Sequence, residues 1–533
     1  MKLSFYGADQ CVTGSCHCLE INGKRILIDC GLQQGRDEVS NGEFPFAPNT
    51  IDFVLVTHAH IDHSGRIPML VKQGFQGRIL TTRLTAELLE IMLLDSAHIQ
   101  EQDAEWRNRK GERSGAPRTE PLYTVEDAEK VMQYMTTCEY GQFVSLCEGV
   151  EVEFVDAGHL LGSAFIAMDL TENGVKKSIV FSGDIGNINQ PIIRDPVQLC
   201  GADYVVMEST YGDRNHPENW GYTENLARII DETMARGGNV IIPSFAVGRT
   251  QELLYFIREI KEKHMVHSRP DFPVYIDSPL AKKATSIFDS DLRGYMDHDA
   301  VWLVRKGTNM FRFPNLCLTE SSEESKALNE DPTPKVIISA SGMCDAGRIR
   351  HHLKHNLWRP ECTVLFVGYQ GEGTLGRQLL EGATSVKLFG EEISVQAHLE
   401  NFTGLSSHAD RDHLLHWISN FKDPKPQQVF VVHGDREVAP FFAQTLVGMG
   451  IPAHAPQYTE VYDLETNAIL ERGYLPERKA KVAGSSKNAP AYDRLVSIGG
   501  MLTEFIKRSK GRDNKSLAKY ADQLRQLLEK WEA

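Results

Sequence analysis

Eight short β-rich runs determine which class of fold this chain can adopt. Each is mainly apolar and ends in polar or glycine-rich residues, and helical patterns alternate with the runs. The runs are "KRILIDCG", "FVLVTHAH", "KSIVFSGD", "YVVMEST", "NVIIPSF", "KVIISAS", "CTVLFVGY" and "QQVFVVHG". Several have the continuous apolar pattern of strands buried on both faces, whose carboxyl ends carry the chemistry of α/β proteins. We therefore predict an α/β fold with its functional site at the polar strand ends.

Helix signals accompany these runs. The capping sequence "TVED" starts one helix, and Gly237-Gly238 ends another. The predicted helices are Thr85–Trp106, Thr124–Thr136, Thr223–Arg236, Thr250–His264, Asp410–Phe421 and, in a basic C-terminal tail, Leu517–Trp531. The hydrophilic sequence over 100–121 predicts a mobile surface insertion, and "ERKAKVAGSSKNAPAYD" predicts a linker before the tail.

The stretch "VTHAHIDHSG" concentrates metal-binding side chains at one strand end. His58 and His60 are two positions apart after an apolar run, so an extended backbone directs both imidazoles to the same side. Asp62 and His63 follow as the chain turns. A single histidine at a strand end is more often an ordinary polar group, but four such groups together favour a metal site.

Further candidates follow three other strands: His159 in "FVDAGHLLGSA", Asp184 in "IVFSGDIG" and His433 in "VFVVHGD". Neighbouring glycines let the backbone approach a crowded centre closely. Two four-ligand sites that share one carboxylate need seven protein groups, and the candidates number seven. The predicted assignment is His58, His60 and His159 to one metal ion, Asp62, His63 and His433 to the other, and Asp184 as the bridge.

This set of donors favours zinc. Imidazoles with a few carboxylates suit zinc better than magnesium, while manganese and iron stay open alternatives. Two such ions about 3.5–4 Å apart can bring the pKa of a shared water towards neutrality and clamp the attacking and leaving oxygens of a phosphodiester. The predicted chemistry is metal-assisted hydrolysis with two Zn2+ per chain.

Composition excludes some classes of protein. The chain has 533 residues, 41% of them hydrophobic, which suffices for two or three domains. With no signal-peptide pattern and no apolar run of membrane-spanning length, we expect a cytoplasmic protein without membrane contact. Ten scattered cysteines predict reduced thiols. The net charge of −15 argues weakly against nucleic acid, but Glu471 to Ala533 carries fourteen basic and eight acidic residues, so a basic face is possible.

In combination the motifs resemble a known family. "HAHIDH", "AGHLLGS" and "SGDIG" resemble the metallo-β-lactamase fold, and "ESTYGDR", "LSSHAD" and "VVHGD" resemble its β-CASP nucleases. That group includes the pre-mRNA 3′-end processing endonuclease and bacterial ribonuclease J. The resemblance covers residues 1 to about 470. It implies an αββα sandwich of two sheets, interrupted by an inserted α/β β-CASP domain that caps the active site.

The resemblance also implies catalytic residues. The family's metal ligands fall on the seven residues already chosen. Two further motifs match Glu208 and His408, a dyad in which His408 acts as general acid on the leaving 3′ oxygen while Glu208 orients it. A carboxylate bonded to imidazole fixes its tautomer and raises its pKa, which suits a proton donor. The implied catalytic residues are thus Asp184, Glu208 and His408.

RNA is the implied substrate, because the DNA-directed branch of the family typically lacks a histidine at the position of His433. The C-terminal end departs from that of ribonuclease J, which favours an endonuclease over a 5′–3′ exonuclease. Single-stranded RNA is expected, since a duplex would not readily enter a narrow cleft between domains. The implied products carry 5′-phosphate and 3′-hydroxyl ends, as in RNA processing or decay. The sequence leaves a homodimer open.

The inserted region repeats a pattern that suits phosphate binding. Strand-like runs break into Gly, Ser and Thr ahead of a helix with a basic residue, as in "PSFAVGRTQELL", "DSPLAKKATSIF", "SASGMCDAGRIRHHL" and "VGYQGEGTLGRQL". The candidates for binding the RNA backbone are Arg249, Lys282, Ser341, Gly342, Met343, Arg348 and Arg377. Ordinary strand-to-helix turns are the alternative explanation.

Other functions compete with this one. "GEGTLG" matches a dinucleotide-binding GxGxxG, but no full βαβ unit follows it. A small-molecule thioester or lactam hydrolase would share the metal core, although the inserted domain and the dyad speak against it. A non-catalytic scaffold should have lost ligands, whereas this chain has all seven.

The predicted domain organisation has four segments. Residues 1–208 and 396–470 form the two parts of the metallo-β-lactamase domain, 209–395 form the inserted β-CASP domain, and 471–533 form the basic linker and helical tail.

Overall fold

A computed structural model describes residues 1–35, 41–112, 117–217, 221–371, 373–402, 404–477 and 517–525. The chain divides into two compact units, Met1–Arg478 and Lys479–Ala533, and the second is described only over 517–525, where it is helical. Among the helices within these ranges, none is both long and apolar enough to cross a membrane.

The secondary structure of the first unit alternates strands and helices. The described strands are β1 (Lys2–Phe5), β2 (His17–Ile21), β3 (Lys24–Ile28), β4 (Phe53–Leu55), β5 (Arg78–Thr82), β6 (Met135–Cys138), β7 (Phe143–Cys147), β8 (Val150–Asp156), β9 (Ala164–Glu172), β10 (Val175–Phe181), β11 (Tyr204–Met207), β12 (Val240–Pro243), β13 (Val274–Ile276), β14 (Leu316–Leu318), β15 (Val336–Ser339), β16 (Thr363–Phe366), β17 (Ser385–Leu388), β18 (Glu391–Ser394), β19 (His398–Asn401), β20 (Gln428–Val431), β21 (Ala453–His454), β22 (Val461–Asp463) and β23 (Ala468–Glu471). The described helices are α1 (Ile61–Ser64), α2 (Ile67–Lys72), α3 (Arg83–Gly111), α4 (Val125–Val131), α5 (Tyr222–Ala235), α6 (Arg249–Glu262), α7 (Pro279–Phe288), α8 (His298–Arg305), α9 (Ser322–Glu330), α10 (Ile349–Asn356), α11 (Leu375–Leu380), α12 (Arg411–Ser419) and α13 (Val438–Gly448).

Two sheets face each other across an apolar interior. Within the described ranges, one has the strand order β23-β22-β1-β2-β3-β4-β5-β6 and the other β21-β20-β11-β10-β9-β8-β7. Side chains from both sheets meet between them, among them Leu3, Phe5, Ile166, Phe181 and Phe430, each at most 1% exposed. Burying a side chain of this kind contributes about 1.5–3 kcal/mol, so this layer is a main source of stability.

Helices cover the outer faces of both sheets. Leu84 and Leu88 of α3 pack with the outward residues of β4 and β5. On the other side, Trp417 of α12 and Phe442 of α13 pack with the outward residues of β10, β11 and β20. The predicted αββα sandwich is confirmed.

A third sheet forms the centre of the inserted region. In the described residues its order is β14-β13-β15-β12-β16-β19, and all neighbouring strands are parallel. One face packs on α5 and α6, through Ile230 and Ile257, and the other packs on α10 and α11, through Leu353 and Leu379. Because both faces are covered, the strands read as continuous apolar runs. The predicted α/β insertion is confirmed.

The structure corrects two of the helix predictions. α3 continues to Gly111, through residues that we predicted to belong to a mobile insertion. Two contacts stabilise its last turns. Lys110 stacks on Trp106, and the side chain of Asn108 hydrogen-bonds the backbone of Thr119, which fixes the returning chain. α4 ends at Val131, and residues 135 and 136, predicted to be helical, begin β6 because that strand completes the sheet beside β5. Residues 113–116 and 478–493 of the predicted insertion and linker lie outside the described ranges.

The domain boundaries remain a proposal, with two adjustments. β19 pairs with β16 in the inserted sheet, so we extend the proposed insertion from 395 to Asn401. The amide of Tyr474 donates to the carbonyl of Tyr458 at 3.0 Å, so we extend the second part of the core from 470 to at least this residue.

Candidate metal centre and catalytic dyad

The seven predicted ligands lie at one edge of the sandwich, where strands end. His58 and His60 follow β4, Asp62 and His63 lie on α1, and His159, Asp184 and His433 follow β8, β10 and β20. Their ligand atoms form two groups, His58, His60, His159 and Asp184 in one, and Asp62, His63 and His433 in the other. The structure therefore brings together all seven residues, in the two groups that counting predicted.

The first group presents nitrogens at the separation that one ion requires. Nδ1 of His60 lies 3.1 Å from Nε2 of His58 and 3.2 Å from Nε2 of His159. Neighbouring ligands of tetrahedral zinc are about 3.3 Å apart, as bond lengths near 2.0–2.1 Å dictate. Burial lowers the pKa of His60 to about 3 and that of His159 well below its usual value. These imidazoles are therefore neutral at physiological pH and have lone pairs to donate.

The second group also presents ligand atoms at separations that suit one ion. Nε2 of His63 lies 3.2 Å from Nε2 of His433, and the latter nitrogen lies 3.6 Å from Oδ2 of Asp62. Burial raises the pKa of the Asp62 carboxyl, but His433 and His63 outweigh it and lower the pKa, so the group is ionised. Two imidazoles and a carboxylate leave room for a further ligand on a tetrahedral ion.

Asp184 joins the two groups. Its Oδ2 lies 3.4 Å from Nε2 of both His58 and His159, whereas its Oδ1 lies 3.2 Å from Nε2 of His63 and 3.6 Å from Nδ1 of His433. Within the described residues, none donates a hydrogen bond to the buried Oδ1 atom. A buried carboxylate oxygen without a donor is costly unless a cation neutralises it, so the residues present fit a bridging ligand between two metal ions.

Hydrogen bonds fix which nitrogen points inwards in three of the imidazoles. His63 donates from Nδ1 to Asp29 at 2.6 Å, and His159 donates from Nδ1 to the carbonyl of Ser407 at 3.1 Å. Nδ1 of His58 lies 3.0 Å from the hydroxyl of Thr57, which itself bonds Asp29. Such partners orient metal-binding histidines and set their tautomer.

Sequence reasoning missed these supporting residues. Asp29 follows β3, so the strand-end rule that found the other groups could have found it as well. Thr57, and Thr210 at 3.2 Å from Nδ1 of His433, carry no pattern of their own and are identified only by the fold.

Backbone geometry at the site is unusual at two of these residues. Asp29 and His433 have left-handed φ angles of 61° and 48°. Such conformations cost non-glycine residues about 1–3 kcal/mol each and persist where the surroundings enforce them. Here the amide of Asp29 donates to the Leu55 carbonyl at 2.9 Å, and that of His433 to the Ala8 carbonyl at 2.8 Å. The strain is thus located where side chains must be aimed at the centre.

Close packing also explains one glycine beside Asp184. Gly183 has a φ of +51°, and a Cβ there would lie 2.7 Å from the side chain of Thr57. Any larger residue would displace the segment that carries Asp184.

Glu208 and His408 form a hydrogen-bonded pair next to the two groups. Nδ1 of His408 lies 3.1 Å from Oε1 of Glu208, and its Nε2 lies 4.0 Å from Oδ2 of Asp184. The fully buried Glu208 also accepts from the amide of Ile185 at 2.6 Å. Burial lowers the pKa of His408, but Glu208 and Asp184 outweigh it and raise the pKa to about 9. The imidazole therefore carries a proton at neutral pH, with Nε2 directed towards the centre.

Comparison with protein families matches three parts of the chain. Residues 10–128 match the metallo-β-lactamase superfamily, 250–379 match the β-CASP domain, and 392–456 match the Zn-dependent metallo-hydrolase RNA specificity domain. A protein named ribonuclease TTHA0252 from Thermus thermophilus is 37% identical over 82% of this chain and 94% of its own length. This chain belongs to the β-CASP metallo-β-lactamase family. It is accordingly a metal-dependent hydrolase.

Other relatives extend the comparison. An RNase J-like protein of Methanocaldococcus jannaschii is 30% identical over 85% of this chain and 97% of its own length. The transcription termination factor FttA of Methanosarcina mazei is 29% identical over 82% of this chain and 67% of its own length. A solved structure of a protein of unknown function from Enterococcus faecalis superposes with a TM-score of 0.50 at 13% identity, over 88% of this chain and 99% of that one, which bears on the fold alone.

In this β-CASP chain the predicted phosphate-binding cations are already paired. Lys282 and Arg348 both bond Glu320, the lysine to the carboxylate and the arginine to the backbone carbonyl, and Arg348 also bonds the buried Asp277 at 2.7 Å. Arg377 pairs with Glu381 at 2.7 Å. Each of these cations would have to exchange a partner to bind phosphate.

The remaining phosphate candidates differ in exposure. Arg249 is only 8% exposed and pairs with Glu252 inside α6, so it is poorly placed to meet RNA. Ser341, Gly342 and Met343 lie in the loop after β15. The GxGxxG alternative has little support, because α11 behind it has six residues.

Proposed function

We propose that this protein is a zinc-dependent ribonuclease that hydrolyses phosphodiester bonds in single-stranded RNA by endonucleolytic cleavage. One observation carries the proposal: the two oxygens of Asp184 face two separate groups of ligands, at 3.2–3.6 Å from four imidazole nitrogens. Such a dinuclear arrangement is suited to phosphodiester hydrolysis. Relatives named as ribonucleases support RNA as the substrate.

Two zinc ions are the proposed cofactor. His58, His60 and His159 would hold one, Asp62, His63 and His433 the other, and Asp184 both. When bound, such ions lower the pKa of a coordinated water and neutralise charge on a phosphate. The protein contributes imidazoles whose orientations are fixed by Asp29, Thr57 and Ser407.

The dyad supplies the proton for the leaving group. Without a proton donor, the 3′ oxygen would have to leave as an alkoxide when its bond to phosphorus breaks. An alkoxide is so basic that it is a poor leaving group. His408 holds a proton on Nε2 on the side of the metal centre, and Glu208 accepts from Nδ1. Water attacks phosphorus and the bond from phosphorus to the 3′ oxygen breaks. Proton transfer from Nε2 to this oxygen gives a 3′-hydroxyl, and the oxygen of the attacking water remains on the 5′-phosphate.

RNA is favoured over DNA as the substrate, and cleavage at internal positions is proposed from the resemblance. A histidine at the position of His433 is what the resemblance associates with the RNA-directed branch of the family, in contrast to the DNA-directed branch. His433 is buried in the second group, with its Nε2 at 3.2 Å from Nε2 of His63. A 5′–3′ exonuclease and a thioester or lactam hydrolase are the alternatives. A cytoplasmic location and a homodimer are further proposals; light scattering of the purified chain measures the latter.

The direct test uses single-stranded RNA of one defined sequence, labelled at the 5′ end in one reaction and at the 3′ end in another. We expect internal fragments from both labels, loss of cleavage with a chelator, and recovery when Zn2+ is added back. Single-nucleotide products from the 5′ label would instead indicate an exonuclease. Turnover of nitrocefin or a thioester without RNA cleavage would contradict the proposal, and so would RNA binding without cleavage.

Lys282 offers a second prediction. Replacing it with glutamine is expected to weaken RNA binding equally across sequences and to reduce the slope of log K against log salt by about 0.7, because one phosphate contact to a single strand is lost. Glu320→Gln should act in the opposite direction, since it removes the competing carboxylate. Lys306→Gln, a lysine that stacks on Trp302, is the matched control. An unchanged slope for Lys282→Gln would remove this residue from the binding surface.

A further inference from the structure

Two of three neighbouring loops of the inserted sheet carry an exposed aromatic side chain. β15, β12 and β16 are adjacent and parallel, so the loops that follow them lie side by side at the carboxyl edge. This edge is where open parallel sheets bind ligands. The loops contain Gly342 and Met343, Phe245, and Tyr369 respectively.

Phe245 is exposed in a loop that is otherwise buried. Its side chain is 44% exposed, while Ser244, Ala246 and Val247 are at most 8% exposed. The hydroxyl of Thr250 donates to the Phe245 carbonyl at 2.7 Å, so the backbone is held in place. Water around an exposed phenyl ring is unfavourable, and stacking on an apolar or aromatic partner would remove it.

Glycines surround the Phe245 ring. A Cβ on Gly342 would lie 3.2 Å from two of its ring carbons, and one on Gly368 would lie 3.8 Å from a ring carbon. The ring therefore rests against two residues that have no side chain to cover it. The side-chain Nε2 of Gln370 donates to the Gly342 carbonyl at 3.0 Å and links the two flanking loops.

Tyr369 extends the same surface towards the core domain. It is 48% exposed between the buried Val367 and Gln370. Its hydroxyl interacts electrostatically with Asp435, which belongs to the metallo-β-lactamase domain, and with Arg214 near the start of the insertion. The ring thus lies where the inserted domain meets the metallo-β-lactamase domain.

Neighbouring residues link both rings to the metal centre. The loop of Phe245 leads to Gly248, where a Cβ would touch the side chain of Leu160, the neighbour of His159. On the other side, Tyr211, which also interacts with Tyr369, has its ring centroid 6.3 Å from that of His408. Each ring is therefore connected to the candidate active site through intermediate residues, Gly248 and Leu160 in one case and Tyr211 in the other.

We propose that Phe245 and Tyr369 stack on unpaired bases of RNA and hold the nucleotides that flank the scissile phosphate, an inference that rests on the proposed ribonuclease function. Every base has a π face, so stacking of this kind tolerates any sequence. It requires bases that are not paired, and it therefore selects single strands. Paired bases of a duplex do not offer their faces to these rings.

The test combines base removal with ring removal. A single-stranded RNA that is cut at one position is prepared with an abasic ribonucleotide at each successive position around that site. In the unmodified protein, one or two abasic positions should lower kcat/KM by about 5- to 150-fold, the range that stacking on one base provides. Phe245→Ala and Tyr369→Ala should lower kcat/KM on the intact RNA by a similar factor.

The combined effect of removing a base and removing a ring shows which ring stacks on which base. At the position that a ring contacts, the abasic substitution should have no further effect in the alanine variant of that ring, whereas Phe245→Trp and Tyr369→Phe should keep the response of the unmodified protein. Phe143→Ala, which removes a 67% exposed ring at the far edge strand β7, is the matched control and should cleave normally.

The outcomes separate this inference from the proposed function. The zinc content of Phe245→Ala and Tyr369→Ala should equal that of the unmodified protein, and a loss of zinc would mean that the variants damaged the site. If the unmodified protein cleaves RNA but abasic effects persist undiminished in both alanine variants, the stacking proposal is wrong. If the unmodified protein cleaves no RNA, the proposed function itself fails.

Discussion

Asp184→Asn is expected to lower RNA cleavage by about 1,000-fold or more and to lower the zinc content of the purified protein below two ions per chain. The amide keeps the size of the side chain but removes its negative charge and replaces one acceptor oxygen with an NH2 donor. Because each oxygen of Asp184 faces a different group of ligands, the substitution disturbs both groups at once. Zinc is measured by inductively coupled plasma mass spectrometry, and cleavage with end-labelled RNA.

The imidazoles around Asp184 also determine the ionisation of its carboxyl. Burial raises the pKa of its carboxyl, but the surrounding imidazoles, with His433 and His63 the largest, lower the pKa well below its usual value. Asp169→Asn, an exposed residue of β9, makes the same chemical change elsewhere in the sandwich and should leave zinc content and turnover unchanged. Full zinc content together with normal turnover in Asp184→Asn would contradict a bridging role.

The ligand set could be predicted from the sequence because it depends on strand ends. Each predicted ligand follows or adjoins an apolar run, and parallel strands bring their carboxyl ends to one edge of a sheet. This logic places His159, Asp184 and His433 together even though up to 274 positions separate the first from the last. The same logic applies to Asp29, which the predicted set of seven ligands does not include.

The rest of the site depends on three-dimensional contacts that leave no local pattern. Thr57 and the carbonyl of Ser407 are partners of imidazoles only because the fold places them there. For the same reason, the sequence identified Arg249 as a candidate cation but did not reveal that Glu252 neutralises it inside the helix. A side chain three positions away on a helix lies on the same face, which the strand-to-helix pattern does not take into account.

Helix limits were predicted least well where the tertiary structure competes with local preference. The helical pattern continues after Val131 and Met132–Tyr134 still form a 3-10 turn, but pairing of β6 with β5 draws the following residues into the sheet. α3 outlasts its apolar pattern because contacts at its polar end, including the bonds of Asn108 to Thr119, stabilise the last turns. Both differences lie far from the strand ends and leave the predicted site unchanged.

His408→Ala should reduce cleavage of ordinary RNA by about 100- to 10,000-fold, the range that a general acid contributes, with little change in RNA affinity. The reason is that the leaving 3′ oxygen must acquire a proton, and the imidazole holds one beside the metal groups. Glu208→Gln should have a smaller effect in the same direction, because it removes the charge that raises the pKa of His408. Single-turnover rates and filter binding measure the two quantities separately.

A change of leaving group distinguishes proton donation from a structural role. When sulfur replaces the 3′ bridging oxygen, the leaving thiolate is a weak base and needs no acid, so His408→Ala should cleave that linkage nearly as fast as the unmodified protein does. Glu208 acts through His408, and the double variant should therefore be no slower than His408→Ala alone. If the sulfur substrate is cleaved as poorly as the oxygen substrate, His408 positions the site and does not donate the proton.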